Sequence, residues 1–220
     1  MDAPFRTSWQ KSVWEIIEHH VFEHPGTDTL FNQYVTADPA YDRPAASRIR
    51  RSNLRSYIAS FKRRPEVLLL AEAPGPRGCR FSGVPITSEE QLLDPEFPID
   101  GRQSSLGTPN REYSAGIFWK NLLGHADRFF VWNTVPFHPH KTGMPMSIRT
   151  PTASEIAEFE PVVRALFDIL RSRTVVAIGR KAERSLASCG IESTYVRHPS
   201  QGGALHFAEG MAAVFSQPGV

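Results

Sequence analysis

Three polar residues stand just past short apolar runs. Glu72 follows Glu66-Val67-Leu68-Leu69-Leu70-Ala71, Asn133 follows Arg128-Phe129-Phe130-Val131-Trp132, and His198 lies shortly after Ser193-Thr194-Tyr195-Val196. A further run, Thr174 to Ile178, ends at Gly179. Such runs read as strands buried on both faces. In sheets of parallel strands, ligands bind outside the carboxyl ends. An acid, a carboxamide and an imidazole are therefore nominated for one rim, where chemistry is expected. Taken singly, Asn133 reads as a turn residue and His198 as a loop histidine, and Glu72 serves a cap as readily as a site. At three strand ends of one sheet, the joint functional reading is the better one.

Other chemistry finds less support. His138-Pro139-His140 invites a metal, with His125 or His206 as further ligands. Zinc needs three or four convergent ligands, and Cys79 and Cys189 form no C-x-x-C pair. No metal is expected. The chain has no G-x-x-x-x-G-K-[ST], G-x-G-x-x-G or G-x-S-x-G, so phosphate-loop, dinucleotide and lipase-like chemistry lose their main signals.

The elements that must hold these residues follow from periodicity and punctuation. A Gly/Pro-rich loop occupies residues 72–78. Helical spacing marks residues 111–123, and Thr152-Ala153-Ser154-Glu155 is a capping box opening another helix. Pro161 should kink or restart that helix. Further helices are expected at about 181–187 and 203–215. Strands alternating with helices predict a single-domain α/β protein, three layers deep, with a central, mostly parallel four-stranded sheet. Residues 1–45 carry no assignable motif.

Length and composition agree. A chain of 220 residues, 40% hydrophobic and 22% charged, is an ordinary globular domain. Two cysteines build neither a disulfide framework nor a four-thiolate cluster. The polar start and the lack of a long apolar run predict a soluble cytoplasmic protein with no membrane span. Net charge is only +2, but residues 43–64 hold eight Lys and Arg and no acid. Within them Leu54, Tyr57, Ile58 and Phe61 mark a core face, while Arg48, Arg51, Arg55 and Lys62 share another stripe. On charge alone a solvated face is favoured over a phosphate-facing one.

The ordered set Ala71-Glu72-Ala73-Pro74-Gly75, Arg80-Phe81-Ser82-Gly83, Trp132-Asn133-Thr134-Val135-Pro136-Phe137-His138-Pro139-His140 and His198-Pro199-Ser200 resembles the uracil-DNA glycosylase superfamily. The likeness is closest to bacterial members whose first motif reads GEAPG, and runs from about residue 66 to the C-terminus. It implies a DNA glycosylase that flips uracil out of DNA and hydrolyses its glycosidic bond, leaving an abasic site. Ala73, Pro74 and Gly75 would line the base pocket, and Phe81 would stack on the base. Asn133 would pair with its Watson–Crick edge. His198 would donate to uracil O2 as charge gathers there, an effect worth roughly 3–4 kcal/mol per donor. Glu72 would position water or face the cationic sugar. Ser200, Gln201 and Gly202 would meet the DNA, with Gln201 to Leu205 filling the vacated stack. With this partner the stripe of Arg48, Arg51 and Arg55 gains weight as a backbone-contacting surface. The chain would act as a monomer on single- or double-stranded DNA without a cofactor.

Besides the small change of Ala71 for the first motif's glycine, the sequence departs from the family in three places. Members with the closest first motif carry an iron–sulfur cluster on four cysteines, and only Cys79 and Cys189 are present. Ala73 stands where the best-studied branch has an aspartate. Gly75, Pro76 and Arg77 provide no ring to block a thymine methyl. The alternatives are a uracil-DNA-binding protein that has lost turnover or traps DNA through His198 and, more weakly, a metal-dependent hydrolase using the His-rich loop.

Overall fold

The computed structural model describes residues 3–216. The N-terminal segment, without a motif in sequence, is a structured part of the domain. Helix α1 (Ser8–Ile17) opens with a capping box between Thr7 and Gln10 and buries Trp9, Val13, Trp14 and Ile17 at helical spacing. It runs into a π-helical turn (Glu18–Phe22) and then strand β1 (Leu30–Phe31). Helix α2 (Ala46–Ser60) carries the basic run. The Gln10 amide donates to the carbonyls of Ile58 and Phe61. It thus satisfies acceptors that the end of α2 would otherwise leave open.

Strand β2 (Val67–Ala71) comes next, followed by the short helices α3 (Cys79–Ser82) and α4 (Glu89–Leu92), then α5 (Tyr113–Leu122). Strand β3 (Phe129–Asn133) leads to β4 (His138–Pro139), helix α6 (Ala153–Leu170), strand β5 (Thr174–Ile178), helix α7 (Arg180–Ser188), strand β6 (Thr194–Val196) and helix α8 (Ala204–Phe215). The main sheet has the order β3-β2-β5-β6, all parallel, and β1 pairs antiparallel with β4 in a second, two-stranded sheet.

Alternation along β3 separates the layers. Phe129 meets Phe118 and Trp119 of α5 and Phe215 of α8, whereas Phe130 meets Tyr57 of α2 and Phe61 beyond its end. Helices therefore cover both faces of the sheet, as expected for an α/β three-layer fold. At the β3 edge the Val131 N–H, lacking a strand partner, donates to the buried Tyr57 hydroxyl at 2.7 Å.

Pro161 corrects an expectation: α6 continues through it without a restart. Pro161 lies on the exposed face, as does Ala157, whose carbonyl loses its usual donor. Water can serve that carbonyl, so the helix survives a proline that a buried turn would not tolerate.

Candidate active site

The parallel register brings the ends of β2 and β3 flush, with Ala71 opposite Asn133. Beyond them the chains are clamped together. The Glu72 carbonyl accepts from the Val135 N–H and from the Thr134 hydroxyl, each at 2.9 Å. On the other side of β2, the Gly179 N–H bonds the Val196 carbonyl. Gly179 has φ +91°, and a β-carbon there would lie 3.2 Å from that of His198. Glycine both permits this backbone and lets the imidazole come close. Glu72, Asn133, Gly179 and His198 consequently line one cavity of about 590 Å³, together with Ala73, Pro74 and Gly75 of the first loop.

Hydrogen bonds set the state of His198. The Ser200 N–H donates to Nδ1 at 3.2 Å, and the Ser200 hydroxyl lies 2.8 Å from the same nitrogen. Nδ1 is thus the acceptor, which puts the proton of the neutral ring on Nε2. Burial, followed by the charges of Arg197 and Lys181, pushes the imidazole pKa down to about 4. At neutral pH it is an uncharged donor. Ser200 thus orients His198.

Glu72 is held by opposing effects. Burial raises its carboxyl above the usual range, while the hydrogen bond and charge of Lys181 pull it down. Oε2 accepts from Lys181 Nζ at 3.2 Å, and Lys181 also donates to the Thr150 hydroxyl at 2.7 Å. Oε1 is buried and has no hydrogen-bond partner. A buried acceptor without a donor is costly, so this oxygen is suited to a water or a cationic group entering the cavity. Across the loop, His138 Nδ1 lies 2.9 Å from the Pro74 carbonyl and Nε2 lies 3.1 Å from that of Pro145. Burial pushes its pKa to about 4. The neutral ring can donate to only one of these oxygens, and it packs β4 against the first loop.

Several residues singled out from sequence lie elsewhere. Phe81 is not among the cavity residues. It is 2% exposed, packed in α3 with the guanidinium groups of Arg80 and Arg50 at 4.2 and 5.8 Å from its ring. Those arginines share Asp42 in a buried ionic group, and stacking on a base is not a role this placement supports. Two residues of the basic α2 stripe have partners within the fold. Arg51 donates to the Tyr34 carbonyl and lies over Phe22. Arg55 donates to the Ala3 carbonyl and lies over Phe5 and Trp14. Both fasten the N-terminal segment. Arg48 is exposed on α2 and does not line the cavity. Gln201 does, at the rim with φ +52°, whereas Gly202 is exposed beside it.

Sequence reasoning missed the residues that surround the cavity. Arg149, Arg180, Lys181 and Arg197 line it, as do Cys79, Ile86 and Glu112. A signal existed for two of them, because Arg180 and Lys181 directly follow Gly179 at a strand end. Glu112 had none: it precedes α5 and reads as a solvent-facing cap.

The uracil DNA glycosylase superfamily profile matches residues 58–214. The chain belongs to this superfamily. Among solved structures, the crystal structure of wild-type Pedobacter heparinus SMUG2 superimposes with a TM-score of 0.64 at 13% identity, covering 96% of this chain and 97% of the other. That likeness shows the shared fold, including the N-terminal segment outside the profile match. No curated protein matches the chain. By family the protein is a DNA glycosylase. Among the described residues no helix is long and apolar enough to cross a membrane.

Proposed function

We propose that this glycosylase hydrolyses the N-glycosidic bond of uracil in DNA, taking the flipped nucleotide into the cavity and leaving an abasic site. The observation that carries the proposal is the meeting of Glu72, Asn133 and His198 in one cavity. The Asn133 carboxamide can donate to uracil O4 and accept from N3–H, whereas cytosine offers the opposite pattern. A buried amide left mispaired rejects the wrong base strongly. His198 Nε2–H donates to O2 as the bond lengthens and negative charge develops on the leaving base. The neutral ring, already oriented by Ser200, needs no reorganisation at that moment. Glu72 Oε1 accepts from the attacking water or faces the sugar as it becomes cationic. Flipping itself costs a few kcal/mol, least where uracil is mispaired or unpaired.

The substrate is uracil-containing DNA, single- or double-stranded, and the chain acts as a cytoplasmic monomer in base excision repair. Gln201, which lines the cavity, would meet the DNA, and Arg197, which also lines it, would contact a phosphate. The proposed steps use no metal or cofactor. Uracil-, hypoxanthine- and thymine-mismatch oligonucleotides incubated in chelator and scored for alkali-labile sites test the proposal. Strand breaks at uracil are expected, and their absence would overturn it.

Ala73 favours a second reading. It lines the cavity with a methyl group where the best-studied branch has a carboxylate. A protein without water activation would bind uracil-DNA and stop, or would capture C1′ of the sugar through His198 Nε2 as the glycosidic bond breaks and uracil leaves with the Nε2 proton. Uracil-DNA bound without release of free base, or an adduct that survives denaturing electrophoresis and is lost in His198→Ala, is the expected signature.

A further inference from the structure

Glu112 has no part in the chemistry above, yet its carboxyl lies in the same cavity. It stands at the N-cap of α5 but makes no side-chain cap hydrogen bond. The side chain instead lies on the first loop. A β-carbon built on Gly75 would fall 1.9 Å from Glu112 Oε1, and one on Gly78 would fall 2.1 Å from Oε2. Neither glycine has a positive φ. Their lack of a side chain is therefore explained by space, not by backbone conformation: each carboxyl oxygen occupies the volume of one missing β-carbon. Burial raises this carboxyl to about 7, opposed by a hydrogen bond from Ser114. A carboxyl is rarely packed this way without a use.

The remaining step rests on the proposed function. With O2 given to His198 and N3–H and O4 to Asn133, the edge of uracil left over is C5–C6. That edge meets lining residues other than those two, and Gly75, Cys79, Ile86 and Glu112 are among them. We infer that Glu112 is a specificity-determining residue, its carboxyl closing the base cavity over Gly75 and Gly78 and limiting the substituent a pyrimidine can carry at C5. Thymine differs from uracil by one methyl group at that carbon. A hydrophobic or steric wall discriminates one such group by roughly 10- to 200-fold.

The test compares Glu112→Ala, Glu112→Asp and Glu112→Gln with the parent protein on oligonucleotides carrying uracil, thymine or 5-hydroxymethyluracil opposite guanine. The expected result in Glu112→Ala is a rise of about tenfold or more in the thymine-to-uracil ratio of kcat/KM. A smaller rise is expected in Glu112→Asp, whose carboxyl is withdrawn by one methylene, and no change in the isosteric Glu112→Gln. Glu112→Asp carries the test if the alanine variant fails to fold. An unchanged ratio in the shortened variants overturns the inference. Equilibrium binding of the same oligonucleotides is read in parallel. If the parent protein releases no uracil, the proposed function fails, while the binding ratio still reports the wall: a rise supports it and constancy removes it.

Discussion

At the scale of single residues, the cavity depends on small arrangements that substitution can separate. His198→Ala should lower kcat by about 10²–10³, the usual cost of one donor to a developing oxyanion, and leave DNA binding nearly intact in a gel-shift titration. Full activity would remove His198 from its role. Lys181→Met should move the acidic limb of kcat/KM against pH upward. The sign follows from the two neighbours of Lys181. Its charge and hydrogen bond lower the Glu72 carboxyl, and its charge lowers the His198 imidazole. Without it, Glu72 ionises at higher pH and His198 loses its proton at higher pH, so the active combination appears later as pH rises. A limb that stays in place would separate Glu72 from catalysis. Glu72, Asn133 and His198 were legible because an apolar run announces a strand and the residue after it falls at the rim. Glu112 was not, because nothing local records that a residue preceding α5 lies against glycines of the first loop.

At the scale of elements, side-chain partners far along the chain decide what a pattern means. The α2 stripe has the spacing of an exposed basic face, but its outcome depends on Phe5, Trp14 and Phe22, which lie in the N-terminal segment. Planar guanidinium groups over these rings are more weakly hydrated than ammonium groups and accept such burial. Replacing Arg51 and Arg55 with Ala should therefore lower the thermal midpoint and leave the salt dependence of DNA binding unchanged. Arg197→Ala should reduce the slope of log K against log salt by about one, as for the loss of one phosphate contact. The reverse pattern would return the DNA surface to α2. Helix α6 shows the opposite limit. Pro161 announces a break by its chemistry, but the exposure of Ala157 was hidden. Pro161→Ala should stabilise the protein by about 1–3 kcal/mol in urea unfolding, less than or equal to the intrinsic cost of proline in a helix.

At the scale of the whole molecule, alternation and punctuation made the sheet and its covering helices readable, since those signals are local and repeat along the chain. The N-terminal segment was unreadable by motif because its work is packing. Trp14 lies between Phe5 and Phe22 beneath Arg55. Trp14→Ala should cost about 3–5 kcal/mol, a large part of the stability of an ordinary domain, measurable as a lower denaturation midpoint. The pairing of β1 with β4 reaches further than stability. Strand β4 contains His138, whose ring lies against the Pro74 carbonyl, so the opening part of the chain braces the loop on which the base would rest. During synthesis Leu30 leaves the ribosome long before Pro139, its partner, and Val67 likewise precedes Thr174. The nascent polypeptide must carry an apolar half-built interior until its last third arrives, a window in which chaperone capture and slow, late closure are the expected behaviour.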